Sequence, residues 1–217
     1  MPPYNRRKFI AKTAATTAGI MGLGGLDVIA TAAMLPAKES LYMIGPVPGY
    51  TPQIGTLVSM LNYNRYTVVS MVKSLTQAEL DYLHDSKANT IGAMLLHLAA
   101  TEKFYQINTF EGRQDFDSEE RKLWGGAMDL GDAGRQQIKG HDVQFYLDVM
   151  TDIRQHTLQV LRGKNDDWLL AVDPEWSDET PLNTYWKWFH VCEHEANHRG
   201  QIAWLKGRLP GAKLGKE

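Results

Sequence analysis

Apolar residues recur at every third or fourth position along most of this 217-residue chain, the spacing that gathers them on one face of an α-helix. From Gln53 to about Ser74, Ile54, Leu57, Val58, Leu61, Val68, Val69 and Val72 form such a face. Thr76 followed by Glu79 reads as a capping box, opening a short helix that ends near Leu83. Asn89 or Thr90 caps the next element. Its run from Ile91 to Ala100 is apolar almost all round, which predicts a helix buried on several sides and stopping near Gly112. Asp142 caps a third long helix carrying Phe145, Leu147, Val149, Ile153, Leu158 and Leu161, with Gly163 as its stop. A last helix spans about Leu182 to Arg208, and Pro210-Gly211 closes it. Gly125, Gly126, Gly131 and Gly134 lie among charged residues, so the segment from Gly112 to Gly140 reads as an irregular surface excursion. Asp173-Pro174 and Thr180-Pro181 bracket a second loop. No alternating run of useful length argues for a strand, and no internal repeat is visible. The expected fold is all-α, an antiparallel four-helix bundle with long connecting loops over residues 50–210.

The first 34 residues follow another logic. Asn5-Arg6-Arg7-Lys8-Phe9-Ile10 is a basic head, followed by a weakly apolar stretch to Met34 that is rich in small residues. These are the parts of an export signal, and Arg6-Arg7 before Phe9-Ile10 resembles the twin-arginine type, whose translocase carries folded cargo. Ala30-Thr31-Ala32 and Leu35-Pro36-Ala37 are candidate cleavage sites. An uncleaved anchor is the alternative, but glycines, threonines and Asp27 make a poor membrane span. The expected division is therefore a cleaved signal over residues 1–34, a linker over 35–49, the bundle over 50–210 and a tail over 211–217. The expected location is periplasmic or otherwise extracytoplasmic.

Composition narrows the chemistry. With 43% hydrophobic residues the chain is long enough to bury a substantial core. A formal charge of -2 leaves no excess positive charge for a nucleic acid. Losing residues 1–34 removes four basic residues and one acid, so the remainder stays mildly acidic. The single cysteine, Cys192, excludes an internal disulfide and a multi-cysteine metal site. Any metal chemistry must then come from histidines and carboxylates.

The last helix supplies them. His194 and His198 are four residues apart, about 40° around the helix and one turn along it, close enough to share one ion. Val191, Ile202 and Leu205 fall on the His198 side, which turns this row inward. His97 lies in the apolar second long helix among Met94, Leu95, Leu96 and Leu98. Alone, such a histidine reads as a satisfied core residue. Three together would leave several imidazole nitrogens desolvated, and a divalent cation accepting one lone pair from each removes that cost. Three imidazole ligands also leave a coordination position open, as catalytic sites do. Nitrogen ligands suit zinc, nickel, iron or copper alike.

Thr90-Ile91-Gly92, Leu95-Leu96-His97-Leu98-Ala99 with Glu102, and His194-x-x-x-His198-Arg199-Gly200-Gln201-Ile202 together resemble the DinB superfamily of metal-binding four-helix bundles. The resemblance spans about residues 50–210. It implies one divalent transition metal held by His97, His194 and His198, with members that include thiol-dependent transferases and a maleylpyruvate isomerase. Low-molecular-weight thiols are held mainly in a reducing cytosol, so the export pattern weighs against thiol transfer. Folded export suits a protein loaded with metal before translocation.

The leading expectation is therefore an exported metal-dependent enzyme acting on a small molecule. A non-catalytic metal or small-ligand binding protein is the alternative, and a protein whose histidines merely pack is a third. His194-Glu195-Ala196-Asn197-His198 also spells the zinc-peptidase string. That reading lacks a downstream third ligand and a strand for the peptide, and Gln201 stands where the extended form needs glycine. Glu195 is either a general base or, on the simpler reading, a helix-surface acid. His190 is either a fourth ligand, a proton carrier or an orienting partner, with the supporting role favoured. Arg199 is assigned to an acid or to the helix C-terminal half, and Cys192 to packing. His84, His141 and His156 are assigned to solvent, and Trp186, Trp188 and Trp204 to packing. The pocket walls are expected from loops 112–141 and 163–182. By analogy a homodimer through bundle helices is admitted.

Overall fold

The computed structural model describes residues 41–176 and 180–212. The signal and its cleavage sites lie outside them. Eight helices occur among the described residues: α1 Pro52–Val72, α2 Gln77–Leu80, α3 Ile91–Phe110, α4 Ser118–Asp129, α5 Gly131–Gln137, α6 Val143–Leu161, α7 Asp166–Leu170 and α8 Thr184–Lys206. The only pairing of extended backbone among these residues is an isolated bridge between Val172 and Asn183. None of these helices is long and apolar enough to cross a membrane.

Local signals set most boundaries. Thr90 accepts from the Ala93 amide at the start of α3, Asp142 from that of Phe145 at α6, and Asn183 from that of Trp186 at α8. Thr76 and Glu79 form the expected capping box at α2. Helix α1 is capped from a distance instead. The Asp166 carboxylate, at the start of α7, accepts from the Gln53 and Ile54 amides and from the Thr51 hydroxyl. The segment expected to be irregular holds two helices, α4 and α5. Asp117 and Glu120 close a capping box at α4, an overlooked signal that prevails over the glycines behind it.

The four long helices form the expected bundle, and their contacts fix its directions. Arg65 of α1 meets Glu195 of α8, and Lys206 further along α8 reaches Met71, so α1 and α8 run parallel. Tyr146 packs on Gly92 and Thr157 bonds Glu102, so α3 and α6 also run parallel. The neighbours α1 and α6 run antiparallel, as do α3 and α8. A parallel α3–α6 pair needs a crossover the length of the bundle, and the connection through α4 and α5 supplies it.

The core has three layers. One apolar cluster joins Ile54, Leu57, Leu61, Leu161 and Trp188, while a larger one joins Val68, Met94, Leu98, Tyr146 and Ile202. Between them lies a charged layer to which every long helix contributes one side chain: Arg65, Glu102, Arg154 and Glu195. Glu102 accepts from Arg65, from both ends of the Arg154 fork and from the Thr157 hydroxyl, at 2.6–3.0 Å. Glu195 Oε1 accepts from Arg65 and Arg154. The remaining guanidinium nitrogens donate to the Leu61 and Met150 carbonyls. Burial by itself would raise the Glu102 pKa, but the two guanidiniums outweigh it and hold the carboxyl at about 2.

Candidate metal centre

His97 sits mid-way along buried α3 and is 9% exposed. Its Nδ1 lies 2.8 Å from the Ala127 carbonyl of α4. A carbonyl can only accept, so Nδ1 carries the proton and Nε2 presents its lone pair. Across the α3–α8 seam, His194 Nε2 lies 2.9 Å from that nitrogen. His198, one turn on, completes a triangle of rings with centroid separations of 4.5, 4.9 and 5.0 Å. One ligand atom from each histidine lies within 4.8 Å of the others, a spacing that could hold a metal ion. The three residues expected from the sequence are the three the fold brings together.

The electrostatics fit a cation acceptor. Burial lowers the pKa of all three imidazoles. His194, further depressed by His198, His97 and His190, falls to about 3, and His198, with His97 beside it, falls to about 4. All three are therefore neutral at pH 7 and can donate lone pairs. His198 Nδ1 is buried without a hydrogen-bond partner among the described residues, and the Thr101 hydroxyl stands 3.4 Å from His194 Nε2. Such a cluster of desolvated lone pairs costs stability unless something positive occupies it. Helix α4 holds the His97 orientation, and the turn after it passes through Leu130 at φ 54°, a conformation that bulky side chains rarely adopt. The Asn89 side chain ties that turn down by accepting from the Gly131 amide.

Several expectations need correction. Glu195 is not a surface acid: it is 1% exposed and bound by two arginines, about 100° around the helix from His194. His190 lies outside the ligand triangle. Its ring stacks on Trp186 at 5.3 Å and meets Tyr105 edge-on, while its Nδ1 lies 2.7 Å from Glu193 Oε1. Arg199 donates to the Thr67 hydroxyl rather than to an acid. Trp188 is fully buried as expected, but Trp186 and Trp204 are 41% and 47% exposed. His84 is exposed, whereas His141 stacks on Phe145 and, like His156, is half-buried. Cys192 is packing: burial pushes its thiol up to about 12, which leaves it unreactive. An open depression of about 560 Å³ is lined by residues of α3, of α8 and of the Lys87–Asn89 segment, and none of its lining residues comes from loops 112–141 or 163–182. Sequence reasoning also passed over Arg65 and Arg154, although each occupies a core-facing helix position where only a paired charge is tolerated.

A helical bundle with three clustered imidazoles poised between its second and last long helices belongs to the DinB-like class. Residues 56–211 match the family described as Mycothiol-S-transferase, and the chain belongs to that family. No curated protein matches it.

Proposed function

We propose that this chain is a metal-dependent S-transferase that joins a low-molecular-weight thiol of the mycothiol kind to a small electrophile. The observation that carries the proposal is the three-imidazole triangle within a chain of this family. His97, His194 and His198 would hold the ion, with the Ala127 carbonyl fixing the His97 tautomer. A divalent cation there supplies the Lewis acidity that lets a thiol shed its proton near neutral pH. The sulfur then forms a bond to carbon while the leaving group departs with its electron pair. His190, one turn from His194, is the residue we assign to accept the thiol proton. Its Nδ1–H faces the Glu193 carboxylate, which leaves Nε2 free to accept. Glu195, held by two arginines, is given a structural role.

The test uses metal-loaded protein with mycothiol and 1-chloro-2,4-dinitrobenzene. Conjugate formation is expected to track metal content, to vanish with a chelator and to return when metal is restored. Turnover no faster than the uncatalysed reaction, at full metal occupancy, would favour a non-catalytic binding protein.

Residues 1–34 support the further proposal that the chain is exported by the twin-arginine translocase. Thiol transfer would then require the thiol outside the cytosol, so the compartment bears on the reaction. Replacing Arg6 and Arg7 together by Lys is expected to leave the precursor in the cytoplasm; normal appearance outside it refutes this route.

A further inference from the structure

The depression between α3, α8 and the Lys87–Asn89 segment has a chemical character of its own. Its lining residues include Met94, Leu205, Asn197, Gln201, Lys87 and Trp204, and none of them is acidic. Trp204 is held in place, with the Arg208 guanidinium 3.6 Å over its ring and His84 edge-on at 5.0 Å, yet remains 47% exposed. Lys87 forms no salt bridge among the described residues, and its segment is braced. Asp85 accepts from the Lys87 and Ala88 amides, while Arg135 donates to their carbonyls. Gly200 is also among the lining residues.

Gly200 is the telling residue. It lies inside a 23-residue helix, where glycine is costly relative to alanine. A Cβ there would meet nothing within 4 Å. Gly92 differs, because its Cβ would fall 2.6 Å from the Tyr146 hydroxyl. Packing within the chain explains Gly92 and leaves Gly200 unexplained. Space kept open over bare helix backbone, between the braced Lys87–Ala88 segment and the Trp204 indole, suits close approach of a ligand.

We infer that this depression binds a small aromatic carboxylate, with its ring against Trp204 and over Gly200 and its carboxylate toward Lys87. Asn197 immediately precedes His198 and Met94 precedes His97 by one turn, so the depression borders the helix segments that carry the triangle. Its place as the electrophilic partner of the thiol rests on the proposed function; its binding does not.

The test is calorimetric titration of the metal-loaded protein with 2-naphthoate and, separately, with uncharged 2-naphthamide. Naphthoate is expected to bind about tenfold more tightly than the amide, the usual worth of a charge-assisted contact. Lys87→Gln should erase that preference. Gly200→Leu should weaken naphthoate by about tenfold or more with metal content and helicity unchanged, while Gly200→Ala should stay folded and raise the unfolding temperature. Equal binding of the two probes, or naphthoate binding that Gly200→Leu leaves intact, overturns the inference. Failed turnover alongside intact, Lys87-dependent naphthoate binding would count against the transferase reading alone.

Discussion

Glu102→Ala is expected to lower the unfolding free energy by about 3–5 kcal/mol, the usual cost of breaking a buried ion pair from one side. The reason lies in the layer between the two apolar clusters. Glu102 neutralises Arg65 and Arg154 from a fully buried position. Without it, two guanidiniums share one carboxylate, Glu195, whose Oε2 already has no hydrogen-bond partner among the described residues. The pH dependence follows from the same pair. The folded-state pKa of about 2 is below the ordinary 4.5, so this contribution is fully present above about pH 4.5 and is lost as pH falls toward 2. The shift corresponds to about 3 kcal/mol, in line with the mutational cost. Urea unfolding at pH 7 and pH 3 checks both points: the gap between wild type and variant should narrow in acid. Truncating the exposed Arg121–Asp115 pair should cost under about 0.5 kcal/mol. A Glu102→Ala loss below about 1 kcal/mol would mean that the four charges do not act as one layer.

His198→Ala is expected to lower metal affinity by at least about 100-fold, more than is typical for losing an outer-shell partner. Plasma emission on protein purified without chelator should find about one divalent equivalent in wild type and almost none in the variant. Circular dichroism should show the helices retained, because the apolar clusters do not depend on the His198 ring. Acid release of the metal is expected at lower pH than free imidazoles would give. With His194 at about 3 and His198 at about 4, protons compete with the cation only well below pH 6.5, and retention to about pH 5 is expected. Without metal, the unfolded chain takes up protons below pH 6.5 that the folded chain refuses, so the apo fold should lose stability as pH falls through that range. Metal released at pH 6.5, or retained by the variant, would end the ligand assignment.

The sequence alone determined the long helices, two of their N-caps and the inward row of the last helix. Each of these depends on residues within four positions of one another: Thr90 on Ala93, Asp142 on Phe145, His194 on His198. The histidine set was legible for a related reason, since a neutral imidazole among leucines is costly unless shared. Tertiary structure decided the rest. Which side of α8 Glu195 occupies, that Asp166 caps α1, that the Ala127 carbonyl fixes the His97 tautomer, and that Gly200 borders a cavity all join residues far apart in the chain. Arg65 reaches Glu195 across 130 positions and His97 reaches His194 across 97. Local periodicity says which face of a helix is buried, whereas the direction and depth at which two buried faces meet depend on packing of the whole bundle. The partner of a buried charge is settled only there.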